Sequence, residues 1–369
     1  MLHVLYDSQV FSRQEYGGIS RYFHELIHHL AKHKDILVEL NVKFSNNSYI
    51  KYNDIFKGRS FFPNKYFIGK YRLLEYSNIL FELPSITKKR YDIFHPTYYN
   101  PYFIKLLGRK PYVLTVYDMI HERFGEIQKI DRKLSERKRY LSRHAKKIIA
   151  ISENTKKDLI QHFGVDPEKI KVIYLGTSVP LDPTNCKTPP LPEEYILYVG
   201  IRSYYKNFAR FIRSMAMILK RDERLSIVCA GGGKFNPKEI ELFKELGIRE
   251  RVHNYSPTDN LLWCLYRNAK VFVFPSLYEG FGIPVLEAFA CGCPVALSNS
   301  SSLPEIAREA ALYFDPMDLT SIGSTVSKTI YDNNLRSILI QKGLERVKDF
   351  SWEKNTLETK EIYQSIIDK

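Results

Sequence analysis

The sequence predicts an α/β protein made of two parallel-sheet units with helices on both faces of each sheet. Three observations carry that prediction. Short apolar runs alternate with helical patterns from end to end. The alternation occurs twice, on either side of a proline-rich stretch. And 369 residues are too many for one ordinary core, so two domains are expected.

The first unit opens on a strand, HVLYDSQV (3–10), followed by a loop and an amphipathic helix, ISRYFHELIHHLAKH (19–33). Further strands are expected at YDIFHP (91–96), YVLTVYD (112–118), KIIAIS (147–152) and KVIYLG (171–176). The stretch PLDPTNCKTPPLPEEY has five prolines between 180 and 192 and little apolar pattern, which reads as a linker. The second unit repeats the grammar with YILYVG (195–200), LSIVCAGGG (225–233), VFVFPS (271–276) and CPVALS (293–298). The expected boundaries are therefore 1–179, a linker over 180–194, and 195–350. The remaining residues, 351–369, read as a terminal helix that packs back toward the first unit.

Composition narrows the class. Hydrophobic residues at 44% and charged residues at 26% describe a globular chain, and 26 Tyr and 22 Phe suit ring-lined surfaces. The opening MLHVLYDSQV has no basic region followed by an apolar core, so no secretory signal is expected. No apolar run approaches the roughly 18 residues needed to span a membrane. Five cysteines without a C-x-x-C pair point to a reduced, cytoplasmic protein with no zinc site.

The net charge of +14 is uneven. Residues 1–180 hold 31 Lys and Arg against 18 Asp and Glu, and residues 181–369 hold 24 against 23. Part of the excess lies in KIDRKLSERKRYLSRHAKK (129–147), which reads as a helix with basic residues on most faces. Two readings stay open: a solvated charged helix, or a surface for an anionic partner such as lipid headgroups or a phosphate-bearing acceptor. No nucleic-acid-binding motif accompanies the charge, so nucleic acid is not an expected partner.

In open parallel sheets, ligands bind beyond the carboxyl ends of the strands. Gly17 and Gly18, after the first strand, precede a helix. They either present free amides to an anion or form an ordinary flexible loop. In VGIRSYYKNFARF (199–211), Arg202 and Lys206 lie four apart near a helix start, with Asn207 adjacent. Two cations there suit a diphosphate, although a plain pair of surface cations is equally compatible. LSIVCAGGGKF fails the P-loop pattern at Val228 and the dinucleotide pattern at Asn236, and reads as a tight strand-to-helix turn.

The richest stretch is PSLYEGFGIPVLEAFACGCP (275–294). Pro284 suits a first helical turn, and the amides near Gly282 and Ile283 are left without intrahelical partners. Glu279 and Glu287 flank this turn. Carboxylates beside an anion site make sense if they accept hydrogen bonds from sugar or ribose hydroxyls.

Glu279-GFGIPVL-Glu287 resembles the two-glutamate motif of retaining glycosyltransferases of family 4, and the turn ACGCPV follows it as in that family. YGGISRY, AISENTKKDLIQHFGVDPEKIKVIYLG and YVGIRSYYKNFARF agree with it. The resemblance runs over most of the chain and is weakest across 40–90. It implies the GT-B fold, two Rossmann-like domains facing across a cleft, with a nucleotide-sugar donor mostly on the second and an acceptor mostly on the first. It assigns Arg202 and Lys206 to the departing diphosphate, Glu287 to the ribose and Glu279 to the transferred sugar. Gly280, Phe281, Gly282 and Ile283 would meet phosphate or sugar oxygens, Tyr255 and Ser256 the base, and Gly17, Gly18 and Asn207 other parts of the donor. His95, His121 and Arg21 fall on the acceptor side. The family's reaction retains configuration and generally needs no metal or other cofactor, and the chain has no D-x-D sequence.

The sequence departs from the family at Tyr117-Asp118, where many relatives have His-Asp. Tyr117 can still hydrogen-bond a sugar hydroxyl, and His121 either substitutes or is a plain loop histidine. Asp118 either positions the acceptor or caps the local turn. The implied function is hexose transfer, with GDP-mannose the first donor to consider and UDP-sugars next. The acceptor would be a lipid-linked glycan or polysaccharide of the O-antigen kind, used by a protein on the inner face of the cytoplasmic membrane. A nucleotide-sugar epimerase of the same fold and a non-catalytic partner subunit are the alternatives.

Overall fold

The computed structural model describes residues 1–51, 58–63, 65–128, 132–179 and 190–367. They form two compact units. One is Met1–Gly176 together with Ser351–Lys369, and the other is Thr177–Phe350. Most of the expected linker lies outside the described residues.

The first unit holds β1 (Leu2–Tyr6), β2 (Ile36–Leu40), β3 (Ile93–His95), β4 (Val113–Val116), β5 (Lys147–Ala150) and β6 (Ile170–Val172). They pair in parallel as β2-β1-β3 and β4-β5-β6. A single parallel bridge, Phe94 to Tyr112, links the two trios. The strand order therefore reverses between β1 and β3.

β1 stops four residues earlier than its apolar run predicts. The Asp7 carboxylate accepts from the amides of Thr97 and Gln9, and this turns the chain into the helix Gln9–Arg13. β2 escapes sequence reading because only Ile36 of its five residues is buried, as suits an edge strand. The basic stretch is a helix over Arg132–His144, with residues 129–131 outside the described set. Most of it is exposed, Arg132, Lys133, Arg139 and Arg143 included, and only Lys138, Leu141 and Ser142 are buried.

The terminal helix, Trp352–Ile367, belongs to this unit. Asn355 donates to the Tyr174 carbonyl at 2.7 Å. A Cβ on Gly176 would lie 2.5 Å from the Trp352 amide nitrogen, so the chain crosses itself there at backbone contact.

The second unit is one six-stranded parallel sheet in the order β12-β11-β10-β7-β8-β9. Its strands are β7 (Glu194–Val199), β8 (Leu225–Ala230), β9 (Val252–Tyr255), β10 (Val271–Phe274), β11 (Val295–Ser298) and β12 (Leu312–Phe314). β8, β10 and β11 are buried throughout, the signature of strands covered on both faces. The core includes Ile196, Tyr198, Phe211, Met215, Ile227, Phe243 and Val326. The order reverses between β7 and β10, and the loops after these two strands are tied by Leu277 N–H to the Tyr205 carbonyl at 2.7 Å. Cys229, Cys291 and Cys293 are free and buried.

Candidate functional site

In the second unit, the reversal of strand order gathers the residues singled out from sequence. Lys206 ends the turn after β7 and Glu279 stands in the loop after β10. The Lys206 ammonium donates to Glu279 Oε1 at 2.6 Å, with both side chains nearly buried. Lys206 also lies over the Phe274 ring at 4.9 Å from its centroid. Among the described residues Glu279 is its one hydrogen-bond acceptor, so two of the three ammonium N–H bonds remain for a ligand.

Glu279 is held from behind by serines. Its amide donates to Ser301 Oγ at 2.8 Å, and Ser302 Oγ donates to the carbonyls of Glu279 and Phe281, each at 2.9 Å. These serines follow β11, the next strand in the sheet. Sequence reading passed over them, although the rule that points to loops after strands covers Asn299–Ser302 as well.

Gly282 caps the helix Ile283–Ala290 at φ +114°, which only glycine adopts without strain. A Cβ there would also press on Leu303 at 3.0 Å. Pro284 sits in the first turn, as expected. Glu287 is one turn in, buried, and accepts from the Tyr266 hydroxyl at 3.2 Å. Burial, and then the Glu287 charge, hold Tyr266 well above the ordinary phenol range. Gly280 and Phe281 are buried within the loop.

Arg202 is engaged differently from the sequence expectation. Its Nε donates to Glu239 at 2.8 Å, and its two terminal nitrogens donate to the carbonyls of Gly231, Gly232, Gly233 and Lys234 at 2.8–3.2 Å. The guanidinium also stacks on Phe235 at 4.9 Å. It is a latch on the glycine turn after β8, and a Cβ on Gly232 would come within 2.7 Å of it. Asn207 likewise turns away from a ligand: its amide donates to the Pro316 carbonyl at 2.6 Å and its oxygen accepts from Arg210. Tyr255 ends β9 and donates to the Pro190 carbonyl, and Ser256 is exposed beside it.

The first unit corrects several expectations. His95 is fully buried, with Nδ1 2.6 Å from the Tyr363 hydroxyl and Nε2 2.9 Å from Thr115 Oγ1. Burial pulls it down to about 3. It is a satisfied core histidine, not an acceptor group. Tyr117 is also buried, edge-on to Tyr22 and Phe23, and its hydroxyl has no hydrogen-bond partner among the described residues. Burial pushes that phenol well above its ordinary range.

Asp118 accepts from the Ile120 amide at 3.1 Å and so caps the local turn. The following helix, Ile120–Gln128, is pinned by a buried pair the sequence did not reveal: Lys138 donates to Glu122 at 2.9 Å and to the Asp118 carbonyl at 2.8 Å. His121 is half-buried in that helix.

Gly17 caps the helix Gly18–Leu30 in extended conformation, and its missing Cβ leaves room for the Gln14 side chain, which accepts from the Ser20 amide. Arg21 lies half-buried on the same helix. Near this helix a pocket of about 730 Å³ is lined by Arg13, Arg72, Lys133 and Arg137 and by Tyr71, Tyr76 and Tyr98. Arg13 forks onto Glu75 at 2.9 and 3.1 Å, whereas Arg72 and Arg137 have no ion pair among the described residues. Among the described residues no group of three or more His, Cys, Asp or Glu side chains is gathered to hold a metal ion, and no helix is long and apolar enough to cross a membrane.

Comparison with known proteins agrees with this geometry. Residues 187–346 match the family described as Glycosyl transferases group 1, and residues 16–179 match Glycosyltransferase Family 4. O-antigen chain mannosyltransferase B of Escherichia coli is 32% identical over 233 residues, covering 60% of this chain and 61% of that protein. Sucrose-phosphate synthase from Thermosynechococcus elongatus has a similar fold over all of both chains, with TM-score 0.77 and 19% identity. The Anabaena HepE protein, solved with UDP and glucose, is similar over 99% of this chain and 100% of its own, with TM-score 0.75 and 16% identity. A motif-bearing loop at the switch point of one parallel sheet, a second parallel-sheet unit, and two family matches that together span residues 16–346 agree: the chain belongs to the group 1, family 4 glycosyltransferases and has the GT-B fold.

Proposed function

We propose that the chain is a retaining, metal-independent hexosyltransferase that moves a sugar from a nucleotide donor to a lipid-linked glycan. The observation that carries this is the Lys206–Glu279 pair at 2.6 Å beside the Gly282-capped helix, at the reversal of a parallel sheet. A cation and free helix amides receive a departing diphosphate. Glu279 and Glu287 offer acceptor oxygens to hydroxyls of the sugar and ribose. In this reading the bond from the sugar's anomeric carbon to the diphosphate breaks, and the acceptor hydroxyl bonds the same face. Its proton passes to the departing phosphate oxygen, since Tyr117 and His95 are both unsuited to take it.

Lys206 is the leading cation, because Arg202 reaches a phosphate only if the Gly231–Lys234 turn lets it go. GDP-mannose is the donor to test first, on the strength of the mannosyltransferase relative. The basic first unit supports an acceptor held at an anionic membrane surface on the cytoplasmic side.

The test is incubation with radiolabelled GDP-mannose and UDP-sugars, with lipid-linked and soluble glycan acceptors, with and without EDTA. Transfer with retained configuration, unaffected by EDTA, is expected. Absence of both transfer and donor hydrolysis across the panel refutes the enzymatic reading. Conversion of a UDP-sugar to its epimer without an acceptor would replace it.

A further inference from the structure

Between Gly58 and Arg90 the first unit turns large apolar side chains outward. In the loop before the helix Lys70–Lys88, Tyr66 is 82% exposed, Ile68 is fully exposed, and Phe62 and Phe67 are about half so. On the helix itself, Leu73, Tyr76 and Leu80 follow at spacings of three and four, which places them on one stripe, and all three are exposed. Phe81 is exposed beside them. Ring contacts join the two sets: Phe67 to Phe62, Phe62 to Phe61, Phe61 to Phe44 and Phe44 to Phe81, all within 5.9 Å. Exposed apolar patches of this continuity mark interaction surfaces.

The charges sort themselves. The two acids of the helix, Glu75 and Glu82, are both buried on the opposite face. Among the described residues from 58 to 90, every exposed charged residue is a cation: Arg59, Lys65, Arg72, Lys88, Lys89 and Arg90. The face is thus apolar and aromatic with a positive surround, which matches the boundary of an anionic bilayer and opposes a polar or cationic partner. The basic helix Arg132–His144 also exposes cations, but Tyr140 is the one large apolar side chain it exposes, so it offers charge without an apolar face.

We propose that the face running from Phe62 to Phe81 docks the chain on an anionic phospholipid bilayer. The aromatic and aliphatic side chains sit at the boundary between headgroups and acyl chains, with the cations among the headgroups. This deepens the lipid-linked acceptor reading and rests on it for its purpose. Arg72 and Tyr76 line the pocket and also belong to the docking face, so an acceptor's anionic head could be held beside the membrane that carries its lipid.

The test is co-sedimentation of the full chain with vesicles of mixed phosphatidylglycerol and phosphatidylcholine, against phosphatidylcholine alone. Binding to the anionic vesicles is expected, and Phe67→Glu with Leu80→Glu should lower the bound-to-free ratio by about tenfold or more. Both residues are exposed, so the melting temperature should hold. Independently, Leu80→Trp should show blue-shifted emission on adding anionic vesicles, above the background of the two native tryptophans.

No binding by the wild type, equal binding by the double variant, or unmoved emission of Leu80→Trp overturns the proposal. So does a solution dimer that Leu80→Glu dissociates. Failure of this idea is separable from failure of the enzymatic one. Transfer in detergent without vesicle binding refutes only the docking face, and vesicle binding without transfer refutes only the catalysis.

Discussion

Each unit reverses its strand order once, and each places carboxylates at the reversal, but the two sites are electrostatic opposites. In the second unit Glu279 has a cation, Lys206, at 2.6 Å. In the first, Asp7 and Glu82 are buried with neutral partners only. Asp7 accepts from Thr97 and Gln9, and Glu82 accepts from the Ser8 amide and the Tyr102 hydroxyl. Burial pushes Asp7 up to about 6 and, together with the Asp7 charge, pushes Glu82 up to about 8. The same topology therefore yields a paired, charged site in one unit and a proton-holding structural knot in the other. A switch point supplies a place for a ligand; the side chains decide whether charge can be used there.

The largest test of that contrast is Lys206→Ala. Removing the cation should lower kcat by roughly 10²- to 10³-fold, by the measure of one lost charge-stabilising donor, in an assay at saturating donor. Unchanged turnover would place both switch points in the structural class. Next is Thr97→Val, which strips Asp7 of its hydroxyl donor. A buried acceptor left short costs about 1–3 kcal/mol, so urea unfolding should shift by that amount while turnover per folded molecule is kept.

The smallest effect is the most diagnostic of sign. A carboxyl raised in the folded state binds its proton more tightly folded than unfolded. Its contribution is full below the unfolded value, 4.5 for Glu82, and is lost as pH rises through about 8. Stability should therefore fall between pH 5 and 8.5, and Glu82→Gln should flatten that slope in thermal melts. A slope of the same steepness in the variant would show that the first unit's acids are charged after all. A fourth measurement separates His95 from the chemistry. Tyr363→Phe removes the hydroxyl between His95 and Tyr6, and should cost about 1–2 kcal/mol with kcat unaltered.

Much of the fold was legible because buried parallel strands are continuous apolar runs, as at Val271–Phe274 and Val295–Ser298. The edge strands Ile36–Leu40 and Leu312–Phe314 were not, since an edge has too few buried residues to mark it. In the site, Glu279, Gly282 and Glu287 announced themselves through glycine, proline and carboxylate spacing. Ser301 and Ser302 did not, because a serine's role depends on which carbonyl or amide it meets.

The linear order of residues was enough to determine two parallel-sheet units, the family, and the loop that carries the two glutamates, since these follow from periodicity and local backbone chemistry. Which charges are spent and which are available was decided only by tertiary structure. Arg202 is consumed by four carbonyls and Glu239, Lys138 is folded inward onto Glu122, and His95 is sealed between Tyr363 and Thr115. Lys206 keeps hydrogen-bonding capacity. The reason is physical: a side chain's type sets what it can bind, but burial and partners far away in sequence set what it still has left to offer.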